Sequence, residues 1–301
     1  MEINPKNAVQ YAAKSYLNFH THSQPYKLIP MRTLAAIICL IFVMYIRSGF
    51  AQTLFLQANG SQDAYTLIND KLVEFDGNAF ETPDCSHQDF GPHITQIYDE
   101  ILRKHVFRFH IHRDQDTDRC VKFDRQRTEI KVYAKSPDWM KATEESSFTY
   151  KWKFKVEQKF QPSKKFTHFF QLKSVGGAYG MPLLTLTARK GLRGKPDRLE
   201  LRHATHGKAS KIRVAKLQPF LGTWLQVTVE AIFGTKGKFV IQIISMNDNN
   251  PLLYYENNSL NMWKEDTDFI RPKWGIYRSL RDKQSLRDEV IDFADIEINV
   301  N

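Results

Sequence analysis

The chain has 301 residues, 42% of them hydrophobic and 13% aromatic, and a formal net charge of +10. That apolar content excludes an intrinsically disordered chain and is enough to bury a large core. The basic excess favours a polyanionic partner, and no RNP-like, helix-turn-helix or Arg/Lys-tract signature makes that partner a nucleic acid.

Residues 1–30 carry no recognisable structural pattern, and Met31 is an alternative start. Residues 31–51 read as a signal peptide. Arg32 supplies the basic n-region, Leu34 to Ile46 the apolar h-region, and Gly49 and Ala51 the small residues of a cleavage site before Gln52. The apolar run is short for a bilayer-spanning helix, which takes about 20 residues. No stable span is expected after cleavage; an uncleaved anchor is the alternative. The mature chain is therefore expected to be secreted or periplasmic. Cys39 leaves with the h-region, and Cys85 and Cys120 remain as an even pair for which a disulfide is expected. No Cys-x-x-Cys or His/Cys zinc spacing is present, which argues against a zinc site.

From Gln52 onward there is no linker, fixed-period repeat or low-complexity tract, so 52–301 reads as one domain. Residues 95–104 are predicted to form a short helix with Ile97, Ile101 and Leu102 on one side. Most of the rest alternates with period two. Strands are predicted at 106–112, 127–134, 148–157, 166–175, 183–190, 197–203, 224–233, 238–245, 274–280 and 293–300, several separated by turn-rich segments such as GLRGKPD, FGTKGK and MNDNNP. So many strands with almost no helix predict an all-β sandwich, most naturally a jelly roll.

Successive strand side chains point to opposite faces, so positions i, i+2 and i+4 lie together. Arg125, Arg127, Glu129 and Lys131 share one face of their strand, opposite Gln126, Thr128, Ile130 and Val132. Arg108, His110 and His112 oppose Phe107, Phe109 and Ile111, while Arg198, Glu200 and Arg202 oppose Leu199 and Leu201. Thr167, Phe169, Gln171 and Lys173 share a face, which leaves His168 on the apolar side as a satisfied core histidine. Lys273, Gly275, Tyr277 and Ser279 lie together, and Gly275 leaves room for a sugar ring to approach the backbone. A solvated outer sheet explains any one of these strands. Jointly they concentrate Arg, His, Gln and Tyr. Arginine offers a planar fork for carboxylate, and glutamine both donates and accepts. The expectation is a concave cationic groove for an acidic polysaccharide, with aromatic side chains against the sugar rings.

Three of these segments, in chain order, resemble strand motifs of the jelly-roll polysaccharide lyases. That group includes the glucuronan lyases, the heparin-lyase-I-like enzymes and, more distantly, the jelly-roll alginate lyases, all on a concanavalin A-like sandwich. Arg127-Thr128-Glu129-Ile130-Lys131 is similar to the alginate lyases' Arg-Ser-Glu-Leu-Arg strand, and Gln171-Leu172-Lys173 to their Gln-Ile-His strand. Lys273-Trp274-Gly275-Ile276-Tyr277 matches the Lys-x-Gly-hydrophobic-Tyr core of the strand near their end. The resemblance covers roughly residues 105–300. Lys173 stands in place of the histidine and Lys131 in place of the second arginine, both departures looking more like the glucuronan-lyase branch.

The resemblance implies β-elimination from a uronate. In that chemistry Gln171 and Arg127 hold the carboxylate, and Tyr277 is general acid and, for same-side elimination, base as well. Lys173 or His110 is the alternative base. Arg125, Glu129, Lys131, His110, His112, Arg198, Arg202, Lys273 and Arg278 are the candidate substrate contacts. The reaction requires no cofactor; a structural calcium ion held by Glu81, Asp292, Asp295 and Glu297 is a further option. A monomer acting on an acidic polysaccharide is expected. Two alternatives stay open. A carbohydrate-binding jelly roll would keep the arginine groove without needing Tyr277. A glycoside hydrolase would need two carboxylates about 5–5.5 Å apart for retention, for which the chain offers only Asp295 and Glu297 near its C-terminus.

Overall fold

In the strand Ser147–Val156 (β6), Phe148, Tyr150, Trp152, Phe154 and Val156 are buried, and the serine, threonine and lysines between them are not. That alternation is what makes a half-buried strand, and it recurs throughout the computed structural model, which describes residues 52–177 and 180–301. The leader 1–30 and the signal-peptide reading of 31–51 lie outside the described residues.

The N-terminal part comprises β1 (Thr53–Leu56), helix α1 (Ala64–Leu72), β2 (Phe80–Glu81), β3 (Ile94–Asp99), β4 (Lys104–Ile111) and β5 (Arg125–Lys131). After β6 come β7 (Thr167–Val175), β8 (Leu184–Arg189), β9 (Arg198–His203) and β10 (Ser210–Lys216). The chain continues with β11 (Trp224–Ile232), β12 (Gly237–Ser245), β13 (Pro251–Leu260), β14 (Phe269–Ser279) and β15 (Glu289–Val300). One sheet has eight strands, in the order β13-β12-β11-β6-β15-β4-β3 with β1 against β15. The other has seven, in the order β10-β9-β8-β7-β14-β5-β2. The ladders are antiparallel, and the last two strands of the chain sit inside the sheets: β14 between β7 and β5, β15 between β6 and β4. Such crossing between two sheets is the jelly-roll sandwich.

The core lies between the sheets. Trp152 of β6 stacks on Phe170 of β7 with centroids 4.5 Å apart and meets Trp274 of β14 at 6.3 Å. All three are buried, and truncating aromatics of this kind costs about 3–5 kcal/mol each.

The structure departs from the sequence reading in several elements. Residues 95–104 are not helical: they form β3, a tight turn and the first residue of β4. The Asp99 carboxylate accepts from the amides of Ile101 and Leu102, and Arg103 takes φ +52°, so the chain reverses there. The helix is instead α1, N-capped by Asp63, with Ala64, Leu67, Ile68 and Leu72 buried. Finally, strands β1, β2, β10 and β13 were not expected; β1 and β2 are short, and β10 and β13 are edge strands that bury almost no side chains. Cys85 and Cys120 are disulfide-bonded, Cα atoms 6.2 Å apart, and tie the loop after β2 to the loop between β4 and β5.

Candidate active site

Strand register assembles the site. On β14, Tyr277 stands opposite Arg127 of β5 on one side and His168 of β7 on the other. Lys273 stands in the same way between Lys131 and Gln171. With Trp274 and Ile276 committed to the core, Lys273 and Tyr277 face away from it. They line a cavity of about 530 Å³ together with Glu81, Arg125, Arg127, His168, Gln171, Lys173 and Arg271. Loop residues Asp118, Arg119, Lys122, Phe166, Gly180, Met181 and Pro182 complete it. The lining holds seven arginine and lysine side chains against two carboxylates, which makes it a cationic groove.

Buried acids organise those cations. The Glu81 carboxylate accepts from Arg127 Nη1 at 2.6 Å, Arg119 Nη1 at 2.9 Å, Lys131 Nζ at 3.0 Å and from Lys273 Nζ. Burial alone would raise the Glu81 carboxyl, but Lys273, Arg127 and Lys131 outweigh it and hold it well below the usual carboxylate range. Glu129 pairs with Lys273 Nζ at 2.8 Å and accepts from the Gln171 amide nitrogen. A carboxylate can only accept, so this contact sets which way the Gln171 amide faces.

Tyr277 is held from two directions. Arg125 Nη1 donates to its hydroxyl oxygen at 2.9 Å, and the Arg127 guanidinium carbon lies 3.9 Å from the ring centroid. As acceptor in that bond, the hydroxyl keeps its own proton to give. The rings of Phe166 and His168 pack alongside at 5.1 and 5.9 Å. His168 donates to or accepts from Thr187 Oγ1 at 2.8 Å. Burial, then Arg189 and Arg202, push it down to about 3, so it is neutral at physiological pH. The Arg127 fork is engaged by Glu81 and by Asp118 at 3.1 Å, which makes it a brace under the tyrosine rather than a free carboxylate fork. Among the described residues, Lys122, Lys173 and Arg271 have no ion pair. Lys173 Nζ donates to the Gly180 carbonyl at 3.2 Å; burial first, then Lys273, Arg127 and Arg271, push it down to about 8.

The structure thus brings Tyr277, Arg127, Gln171, Lys173, Arg125 and Lys273 together around one cavity. Other expected contacts are placed differently. Glu129 is fully buried and supports Gln171 and Lys273 from behind. Lys131 turns to Glu81 and the Tyr133 ring. Arg198 and Arg202 share the sheet but pair with Glu200 on β9; Arg202 lines an adjoining cavity with His168, Thr185 and Arg189. Arg278 is 0% exposed, on the core side of β14, and donates to Gln126 Oε1 and the Arg287 carbonyl, so it contacts no substrate.

His110 and His112 belong to the other sheet: β4 pairs with β3 and β15. His110 meets Thr95 Oγ1 at 3.0 Å and does not line the groove, so it is not placed to be the alternative base, and His112 faces Asp116. His168 joins the groove instead of the core because β7 slips register against β8 between His168 and Phe170, and again against β14. Gly275 opens no gap for a sugar. It is buried with φ +142°, and a Cβ there would lie 2.2 Å from the Thr128 carbonyl oxygen, so glycine is required by the close approach of β14 to β5.

The expected calcium ligands do not gather. Glu81 is in the groove, while Asp292, Asp295 and Glu297 sit on β15 paired with Arg108, Lys153 and Lys151. The same ion pairs occupy the two carboxylates a hydrolase would need. Sequence reasoning placed Glu81 only as a calcium ligand and Phe166 only as the start of a strand, and it missed Asp118, Arg119 and Lys122, which lie in a loop where no periodicity exists. Arg271 was findable, since it has the same strand parity as Lys273.

No protein-family model and no curated protein sequence matches the chain. Solved structures do match it. The endo-β-1,4-glucuronan lyase of the fungus Trichoderma reesei superposes with a TM-score of 0.51 at 10% identity, covering 82% of this chain and 94% of that one. The marine alginate lyase of Aplysia kurodai gives 0.53 at 10% identity, covering 83% and 98%. An alginate lyase variant in complex with alginate trisaccharide gives 0.52 at 11% identity, again covering 83% and 98%. What this chain shares with them, at such identity, is the jelly-roll fold.

Proposed function

We propose that the chain is a polysaccharide lyase that cleaves an acidic, uronate-containing polysaccharide by β-elimination, with Tyr277 as the proton-transfer residue. The observation behind this reading is a single tyrosine hydroxyl, bound by Arg125 and backed by Arg127, at the floor of a groove with excess positive charge. The fold shared with enzymes named for glucuronan and alginate, both polymers of uronic acids, supports the same class of substrate.

Elimination requires the C5 proton to leave a carbon next to a carboxylate. Neutralising that carboxylate makes the proton acidic, and donors aimed at the developing enolate are usually the largest catalytic contribution. Gln171 and the unpaired cations Lys173 and Arg271 supply those donors here. Tyr277, as phenolate beside Arg125 and Arg127, takes the C5 proton. The electron pair forms the C4–C5 double bond, the C4–O4 bond breaks, and the phenol returns its proton to O4 on the same side. Each turnover leaves one unsaturated uronate and one new hydroxyl end.

The groove is expected to work outside the cytoplasm, following the signal-peptide reading of 31–51. Among the described residues no helix is long and apolar enough to cross a membrane. The test is absorbance of the unsaturated uronate while glucuronan, alginate and heparin-like polymers are offered in turn. Absorbance growing on at least one is expected. None on any uronate polymer, with binding retained, would leave a carbohydrate-binding protein instead.

A further inference from the structure

Away from the groove, four side chains that the proposed chemistry does not use converge: His87, His93, His112 and Asp116 each offer a ligand atom, all within 4.8 Å of one another. Asp116 is at the centre. Its Oδ1 lies 3.1 Å from both His87 Nδ1 and His93 Nε2, and its Oδ2 lies 3.3 Å from His112 Nδ1. Zinc binds nitrogen and carboxylate oxygen at about 2.0–2.2 Å, so neighbouring ligands around a tetrahedral ion stand about 3.3–3.5 Å apart. The 3.3 Å spacing from His112 matches that edge, and the two 3.1 Å spacings fall about 0.2 Å short of it.

Two further observations point to a ligand. His93 turns its other nitrogen, Nδ1, to Asp84 Oδ1 at 2.7 Å, and Asp84 is itself held by Tyr65 Oη at 2.7 Å and Thr82 Oγ1 at 2.9 Å. A carboxylate behind an imidazole orients the ring and raises its basicity toward a metal; Zn2+ at Nε2 would take the place of the proton that now faces Asp116. Asp84 therefore stands where the outer-shell partner of a metal-bound His93 would stand. Independently, His112 Nδ1 is buried without a hydrogen-bond partner, although it faces the cluster. The Phe90 ring packs on His112 at 4.2 Å and on His93 at 4.8 Å, an apolar cover on that side.

We propose that His87, His93, His112 and Asp116 form a four-coordinate site for Zn2+. Imidazole and carboxylate suit zinc, and a set of four protein ligands with no open position is the structural rather than the catalytic kind. Its place in the chain gives it a task. Asp116 sits in the loop whose Asp118, Arg119 and Lys122 line the groove, and Cys120 of that loop is bonded to Cys85 next to His87. Ion and disulfide together pin one wall of the groove. The sequence pattern showed none of this, because the ligands come from two loops and a strand end with no zinc-type spacing. The inference does not rest on the lyase reading.

Untagged full-length protein, stripped with a chelator, is titrated with Co2+ while visible absorption is read, then with Zn2+ to displace it. One equivalent of Co2+ with the intense bands of four-coordinate cobalt is expected, lost in His87→Ala and kept in His110→Ala. Asp84→Asn, which touches the ion only through His93, is expected to weaken binding about 10–100-fold. Zn2+ is expected to raise the melting temperature of wild type but not of His87→Ala. No binding by wild type, faint six-coordinate bands, or binding indifferent to His87→Ala would each overturn the site and leave a metal-free hydrogen-bond network. Should His87→Ala fail to fold, the wild-type and Asp84→Asn titrations still decide.

Discussion

The two charged faces of this sandwich use the same residue types to opposite ends. On the eight-stranded sheet, Arg108 ends on Asp292, Lys104 and Lys153 on Asp295, Lys155 on Asp99 and Lys151 on Glu297. Each of these cations meets a carboxylate on its own face. On the seven-stranded sheet, Glu81 is shared among four cations, while Lys122, Lys173 and Arg271 meet none. A face that neutralises itself needs no partner. A face left with surplus charge carries a repulsion that a polyanion relieves, and it steers such a partner in.

Substitutions on the two faces should therefore behave differently, and the largest contrast is in stability. Glu81→Gln keeps the shape but removes the charge its neighbours share, and losing one partner of a buried ion pair costs about 3–5 kcal/mol. Lys151→Ala breaks a half-exposed pair at 3.9 Å on the other sheet, for which about 0–1 kcal/mol is expected. Denaturant unfolding of both variants checks the pair. Equal effects would mean that the groove acids are ordinary surface pairs.

In catalysis the contrast is smaller in free energy but sharper in kind. Tyr277→Phe deletes one hydroxyl and keeps the ring stacked under Arg127. A fall in turnover of at least about a hundredfold is expected, with KM little changed. Lys153→Ala, across the sandwich, should leave turnover intact. Near wild-type release of unsaturated product by the Phe variant would remove Tyr277 from the chemistry.

The subtlest test concerns Lys173, pushed down to about 8. As a counter-ion to substrate carboxylate it is charged below that value and neutral above it. KM should accordingly rise several-fold as pH climbs through about 8 while kcat stays level, and Lys173→Arg, charged throughout, should flatten the profile. A kcat that rises through the same range, and is abolished in Lys173→Arg, would make Lys173 the base instead.

Strand parity carried most of this site into view from the sequence. It set Arg125 and Arg127 on one face of β5 and Lys273 and Tyr277 on one face of β14, as the register shows. It failed in three physically distinct ways. Parity assigns a face but not a sheet, so His110 and His112 faced away from Phe107, Phe109 and Ile111 as expected yet lie outside the groove. Parity also assumes an unbroken ladder, and the irregular register of β7 moved His168 across. It is silent in loops, where Asp118, Arg119, His87 and Asp116 lie, and the Cys85–Cys120 bond ties those two loops together.

The central placement of β14 and β15 has a consequence for how such a molecule is made. Until β14 is available, β5 and β7 have nothing between them, and until β15 is available, the same holds for β4 and β6. A ribosome delivers both strands after all the others, so each half-built sheet presents two bare inner edges for most of the synthesis, the kind of edge that invites pairing with another chain. Closure then depends on contacts between residues far apart in sequence, which folds slowly. Tyr277 and the groove arrive with that closing strand. A nascent chain therefore holds every arginine of β5 and yet no binding face, and the site comes into being in the step that completes the sheet.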